Sequence, residues 1–119
     1  MSVSVDIWLR GTDFATTETI DNIPLPASGW RDEDVRRLLE GMLRAMDRRQ
    51  RPGETDRAIS LRGFSWIVNP FETGGVLVAI EMTLGAAIAG PFDVEQQALE
   101  ATIARVIAAA APPESTTVH

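Results

Sequence analysis

The stretch AISLRGFSWIVNPFETGGVLVAIEMT, residues 58–83, decides the fold class because it contains two apolar runs on either side of a turn sequence. Residues 58–68 and 76–83 are rich in Val, Ile and aromatic side chains, which favour strands. Between them, NPFETGG at 69–75 has the Asn-Pro and Gly-Gly pairs typical of a hairpin loop. The stretch therefore predicts a β-hairpin. Alternation along its first strand places Phe64, Trp66 and Val68 on one face and Ile59, Leu61 and Ile67 on the other.

Glu81 is the only charged residue in the apolar run from Val76 to Phe92. A membrane-spanning helix needs about 20 apolar residues and rarely has a charge near its middle, so no membrane segment is predicted. If the hairpin pairs Val68 with Val76, Glu81 lies across from Gly63. Three interpretations follow for its carboxylate: a solvated or Arg-paired group, a residue of a strand-mediated interface, or an acid in a pocket.

Two further segments have the pattern of strands. Val3, Val5, Ile7 and Leu9 alternate with polar residues and Trp8, which predicts a first strand. FATTETI, residues 14–20, is rich in β-branched residues and predicts a short second strand. DNIPLPASGW, residues 21–30, has two prolines and predicts a surface connection. After residue 83, Gly85 indicates a bulge, and the AAIA that follows either extends the strand at 76–83 or begins another strand.

Two helices are predicted. In the first, apolar residues recur at steps of three and four and form one stripe: Val35, Leu38, Leu39, Met42, Leu43 and Met46. Its start has the acids Asp32, Glu33 and Asp34, which favour the positive end of a helix dipole. The second runs from about Val94 to Ala110, with Asp93 as its expected N-cap. Its expected buried residues are Leu99, Ile103, Val106, Ile107 and Ala110.

The order β(β)αββ(β)α predicts an α+β fold, a mainly antiparallel sheet of four to five strands with two helices packed on one face. If residues 14–20 form a strand, the order is that of a β-grasp-like domain or of a repeated ββα unit. If they form a loop, it is closer to a truncated ferredoxin-like fold. The length of 119 residues predicts one domain, residues 1–111, followed by a disordered tail, residues 112–119.

The charge of the chain argues against nucleic-acid binding, because its net charge is -6 and its pI is about 4.7. The charge is unevenly distributed: residues 31–62 have nine Arg and seven acidic residues, whereas residues 1–30 and 63–119 are acidic. Such a bipolar surface favours an electrostatically complementary partner or self-association.

The composition also limits catalysis. The chain has no Cys, Lys or Tyr, and its only His is His119, the last residue. Thiol and Schiff-base chemistry are therefore excluded, and no catalytic residue, cofactor or metal site is predicted. The absence of Cys, together with a start that does not resemble a signal peptide, favours a cytoplasmic location.

Two groups of residues are predicted to bind a partner protein. The first lies on the less buried face of the hairpin: Ile59, Leu61, Leu77 and Glu81. The second is the arginine face of the first helix: Arg36, Arg37, Arg44 and Arg48. Glu40 lies four residues from both Arg36 and Arg44, a spacing that is also typical of ordinary intrahelical ion pairs.

The sequence thus predicts a non-catalytic domain that binds another protein, or itself as a homodimer, through a sheet edge or face. An accessory or assembly subunit fits this description. One alternative is a small-molecule-binding or catalytic domain that uses Glu81 with Arg62 or Arg10. Another is an acidic inhibitor or immunity-type protein that docks on a basic enzyme.

Overall fold

The structure is a computed structural model and describes residues 2–24, 26–51, 53, 59–83 and 85–110. The strands are β1 (Val3–Leu9), β2 (Thr16–Ile20), β3 (Ser65–Pro70), β4 (Val76–Met82) and β5 (Gly85–Phe92). The helices are α1 (Asp32–Gln50) and α2 (Gln96–Ala110), and a 3-10 turn lies at Ala27–Gly29. The predicted tail, residues 112–119, lies outside the described residues.

The five strands form one sheet in the order β2-β1-β5-β4-β3, and every neighbouring pair is antiparallel. This confirms the α+β prediction, with both of the uncertain strands present. Because Thr16–Ile20 is a strand, the truncated ferredoxin-like alternative, which required a loop there, is wrong. The ββαββ order of the β-grasp-like alternative matches the first five elements. A fifth strand, β5, then lies between β1 and β4.

Both helices cover the same face of the sheet. The whole predicted stripe of α1 is buried, and α2 buries Leu99, Ile103 and Val106. They pack in one cluster with alternate strand residues, such as Val5 of β1 and Val78 of β4. Each large apolar side chain removed from water in this way contributes roughly 1.5–3 kcal/mol. The core therefore lies between one face of the sheet and the helix layer.

Close contacts fix α1 against the sheet. Gly41 lies inside the helix, where an added Cβ would be 2.7 Å from Cγ2 of Ile20 at the end of β2. Arg49, near the end of α1, forms an ion pair of 3.4 Å with Glu18 of β2. At the start of the helix, the carboxylate of Asp34 accepts a 2.9 Å hydrogen bond from the backbone N–H of Arg31. This contact satisfies one of the backbone donors at the first turn.

The first strand of the hairpin is shorter than predicted. Ala58 lies outside the described residues, residues 59–64 are not a strand, and β3 begins at Ser65. Gly63 has a φ of +78°, a left-handed conformation that does not continue a strand. Leu61 consequently leaves the face predicted for it and is buried in the core, with only 4% of its surface exposed.

The predicted hairpin register is also wrong. Val76 pairs with Pro70 rather than Val68, so Glu81 lies across from Ser65 and not from Gly63. The turn is confined to residues 71–75, where the N–H of Phe71 donates to the Gly75 carbonyl at 2.9 Å. The register differs from the predicted one by two residues. Because side chains alternate with a period of two, this shift leaves every strand residue on its predicted face.

Helix α2 begins at Gln96, two residues later than predicted, so Asp93 is not its N-cap. Gln96 instead donates from Nε2 to the backbone carbonyl of Val68 at 2.8 Å. This bond attaches the first turn of α2 to β3, which is an edge strand of the sheet. It satisfies a carbonyl of that edge and so shields part of it from pairing with another strand.

Candidate functional site

The sheet face opposite the helices is not covered by any helix or strand of the described residues, and we call it the open face. Burial alternates along β4: Val76, Val78 and Ile80 are buried, whereas Leu77, Ala79 and Glu81 are half-buried or exposed. The open face comprises Ser4, Asp6 and Trp8 of β1, Thr17 and Thr19 of β2, Ser65, Ile67 and Asn69 of β3, Leu77, Ala79 and Glu81 of β4, and Ala86, Ile88 and Gly90 of β5.

The apolar residues of the open face are concentrated on three strands. Asp6, Ile88, Ala79 and Ile67 lie side by side across β1, β5, β4 and β3. Ile67 is 51% exposed, whereas Ile88 and Ala79 are half-buried. A shallow cavity of about 440 Å³ lies between them, and Glu81 and Ala86 also line it. Depressions with apolar floors and a few polar groups at their rims are typical of binding surfaces.

The other part of the open face, on β1 and β2, is polar apart from Trp8. Its polar side chains are Ser4, Asp6, Thr17 and Thr19, all of them exposed. The hydroxyl of Thr17 donates to the carboxylate of Asp6 at 2.8 Å. The open face is thus divided into an apolar part and a hydrogen-bonded polar part.

Trp8, Glu81 and Arg10 meet at one end of the open face. Trp8 pairs with Ala86, and Ala86 pairs with Glu81, so the indole and the carboxylate flank one small residue. Together with Arg10 they line a cavity of about 260 Å³. Arg10 donates from Nε to the carbonyl of Thr83 at 2.9 Å, which holds its guanidinium at the β4–β5 turn. Among the described residues, no partner forms a hydrogen bond or an ion pair with the side-chain carboxylate of Glu81.

The structure brings together only part of the first predicted group. Leu77 and Glu81 lie on the open face, as expected. Ile59 and Leu61 do not, because they precede β3 and pack with the core. The group also missed the two most exposed large apolar residues of this face, Ile67 and Trp8. The alternation of Ile67 with the buried Val68 already indicates, from the sequence, that Ile67 faces outward. The proximity of Trp8 to Glu81 depends instead on the pairing of β5 with β1 and with β4.

The arginines of the second predicted group lie on the helix side of the molecule, away from the open face. Arg37, Arg44 and Arg48 line a groove of about 510 Å³ between α1 and the end of β2. Arg37 donates to the carbonyl of Asn22 at 3.2 Å and lies 3.9 Å from Glu33. Arg36 is exposed and lines a separate cleft between the helices. The two predicted groups therefore do not form one site.

The acids at the start of α1 take part in helix contacts. Arg105 of α2 binds Asp32 through two hydrogen bonds, of 2.8 Å from Nε and 2.7 Å from an Nη nitrogen. This hydrogen bonding lowers the pKa of Asp32 below its ordinary value, and it raises the pKa of Arg105. Within the described ranges, no cluster of three His, Cys, Asp or Glu residues could hold a metal ion.

Comparisons with protein families, with curated protein sequences and with solved structures found no match for this chain. Neither α1 nor α2, the two α-helices of the described residues, is long and apolar enough to cross a membrane. The function must therefore be argued from the geometry and chemistry of the open face and of the helix arginines.

Proposed function

We propose that this chain is a non-catalytic protein-binding domain that acts through the open face. The observation that supports this most directly is the exposure of Ile67 and Trp8 beside the half-buried Leu77, Ala79 and Ile88. An antiparallel sheet with one solvated face usually has polar residues on that face. A partner would remove these apolar surfaces from water, which is the main favourable term in protein association.

The polar groups of the open face suit recognition better than chemistry. Asp6 is hydrogen-bonded to Thr17, and Arg10 is held by the Thr83 carbonyl, which leaves Glu81 as the carboxylate available to a partner. A single exposed carboxylate beside an indole can select a partner's orientation through charge and hydrogen bonding. The cytoplasmic location and the accessory or assembly role expected from the sequence are part of this proposal.

The test compares two variants that add the same charge at different places. Ile67→Glu places a carboxylate in the apolar part of the open face. Ala101→Glu places one on the exposed side of α2, at a position that Glu also suits as a helix former. The tagged wild type and both variants are used to capture proteins from the source cell, and the captured proteins are quantified by mass spectrometry.

We expect a partner that is retained by the wild type and by Ala101→Glu and is reduced at least tenfold by Ile67→Glu. A basic enzyme among the captured proteins would support the inhibitor-type version of this function. If every captured protein binds Ile67→Glu as well as it binds the wild type, the open face is not the binding surface. Circular dichroism of both variants checks that the fold is retained.

A second candidate function is favoured by one observation, the shared cavity of Glu81 and Arg10. Arg62, the other arginine considered with Glu81, lies in an exposed loop and is not among the residues that line this cavity. A site with one group of each charge would suit a small zwitterion or a carboxylate. A rise in thermal midpoint with such a ligand, lost in Arg10→Ala, would support this candidate, whereas a flat screen of amino acids and small carboxylates would exclude those ligands.

A further inference from the structure

We infer that the occupant of the open face is a second copy of this chain, in a face-to-face dimer whose two-fold axis runs parallel to β5. This inference rests on the proposed function, because it requires that the open face binds protein. It adds the identity of the partner, the symmetry of the complex and the residues that meet across it.

The position of β5 determines which strands would face each other. β5 is the third of five strands, with β1 on one side and β4 on the other. A two-fold axis parallel to β5 and midway between two stacked sheets places each β5 over the other β5. It also places β1 of each copy over β4 of the other at the same height. Such an interface forms only if the face is complementary to itself.

Along β1 and β4, a longer side chain of one copy would face a shorter one of the other at two positions. Asp6 and Ala79 lie level with Ile88, so Asp6 of each copy would face Ala79 of the other, and Ile88 would face itself. One step along the strands, the small Ser4 would lie near the larger Leu77, which is at the bulge between Val76 and Val78. Packed sheets lie about 10 Å apart, and a long side chain opposite a short one fills that space without a clash.

Charges are complementary across the same axis. Trp8 lies level with Glu81, so in the dimer the indole of each copy faces the carboxylate of the other, and the guanidinium of Arg10 lies beside this contact at the same end of the sheet. Each copy contributes one charge of each sign, and the cluster of four is neutral. Arg10 is already oriented by its bond to Thr83, which lowers the cost of ordering it on binding.

The area that two open faces would bury against each other predicts a weak dimer. Five strands about 4.8 Å apart and three levels of outward side chains about 6.8 Å apart give a flat face of about 24 Å by about 20 Å. Two such faces bury on the order of 1,000 Å², near the lower limit for a specific interface. The net charge of -6 on each copy adds repulsion. We therefore expect a dissociation constant on the order of 10–100 μM.

The test reverses the charges of Arg10 and Glu81 and measures the mass of each protein by sedimentation. The dilution series runs from about 5 μM to about 1 mM, a range that brackets the expected dissociation constant. We expect the wild-type mass to rise from 13.0 kDa towards twice that value. In Arg10→Glu alone, only acidic side chains would lie at the Trp8 end of the interface, and in Glu81→Arg alone, only basic ones. Each variant should therefore be at least tenfold weaker as a dimer. Arg31→Glu, which makes the same charge change at an exposed residue just before α1, should dimerise as the wild type does.

An equimolar mixture of Arg10→Glu and Glu81→Arg should regain the wild-type mass, because every contact in the mixed dimer joins opposite charges. Recovery in the mixture also shows that both variants are folded. The inference is overturned if the wild type stays monomeric at 1 mM, if the single variants dimerise normally, or if the mixture does not associate.

The two proposals fail in different ways. A monomeric wild type whose captured partner is lost in Ile67→Glu would overturn the second-copy inference and leave the open face as a binding surface for another protein. A dimer that is unaffected by Ile67→Glu, together with capture that is also unaffected, would overturn both.

Discussion

The two faces of the same sheet differ in what covers them, although both carry apolar residues. On the covered face, Val5, Val78 and Ile80 are packed under α1 and α2 with at most 1% of their surface exposed. On the open face, Ile67 is 51% exposed, and Asp6 and Glu81 lie among the apolar residues. The apolar contacts of the covered face stabilise the fold, whereas side chains of the open face should tolerate substitution with less loss of stability. Substitutions on adjacent residues should therefore separate stability from binding.

The largest difference in stability between the two faces is expected when one isoleucine on each face is truncated to alanine. Ile80→Ala removes a side chain that is 1% exposed and leaves a cavity under the helices, so it should lower the free energy of unfolding by about 2–5 kcal/mol. Ile67→Ala, on the exposed side of β3, should lower it by less than about 1 kcal/mol. Urea denaturation of both variants measures the difference. Equal losses would show that the open face is covered in solution.

A smaller effect is expected from enlarging two neighbouring alanines of β5. Ala87 is fully buried between Ile7 and Ile80, so Ala87→Val should overpack the core and cost about 1–3 kcal/mol. Ala86, its neighbour on the open face, has room above it, and Ala86→Val should change stability by no more than about 0.5 kcal/mol. Thermal and urea unfolding provide the comparison. A large loss for Ala86→Val would contradict the assigned faces of β5.

The smallest effect concerns the exposed pair of Asp32 and Arg105, which joins the two helices at their outer surface. The folded state lowers the pKa of Asp32, so this pair stabilises the protein above the ordinary pKa of an aspartate. The contribution should be lost as the pH falls through the lowered pKa. Asp32→Asn should unfold at a lower temperature than the wild type near pH 7, and the two midpoints should converge at acid pH.

The same measurement at high salt provides the control, because screening weakens contacts between exposed charges. A difference between Asp32→Asn and the wild type that persists unchanged at low pH would show that the side chain acts through packing or capping instead. The stability of the covered side would in either case come mainly from its apolar contacts.

Local periodicity predicted most of the fold. The stripe from Val35 to Met46 is buried as a unit, because residues three and four apart share one side of a helix wherever that helix lies. The faces of β4 were also predicted, since alternation depends only on the backbone. The register of the hairpin was not predicted correctly. Pairing Val76 with Pro70 places the same residues on each face as pairing it with Val68, and the two pairings differ only in where the turn lies.

The candidate site was predicted less well than the fold. Leu61 alternates with Ile59 as a strand residue would, but the left-handed conformation of Gly63 ends that pattern and leaves Leu61 in the core. Trp8 was assigned to the outward side of the first strand, but nothing near it in the sequence indicates Glu81. Their proximity depends on β5 pairing with both β1 and β4, which are far apart in the chain.

The sequence by itself determined which segments are strands and helices and which residues of each share a face, because these follow from spacing within a few residues. The tertiary structure decided that β5 lies between β1 and β4 and that both helices cover the same face. The strand order and the helix positions depend on contacts between segments that are far apart in the sequence. Each such contact forms only when the intervening loop of chain has been closed. The open face, with Ile67, Trp8 and Glu81 exposed on it, exists because those contacts left it uncovered.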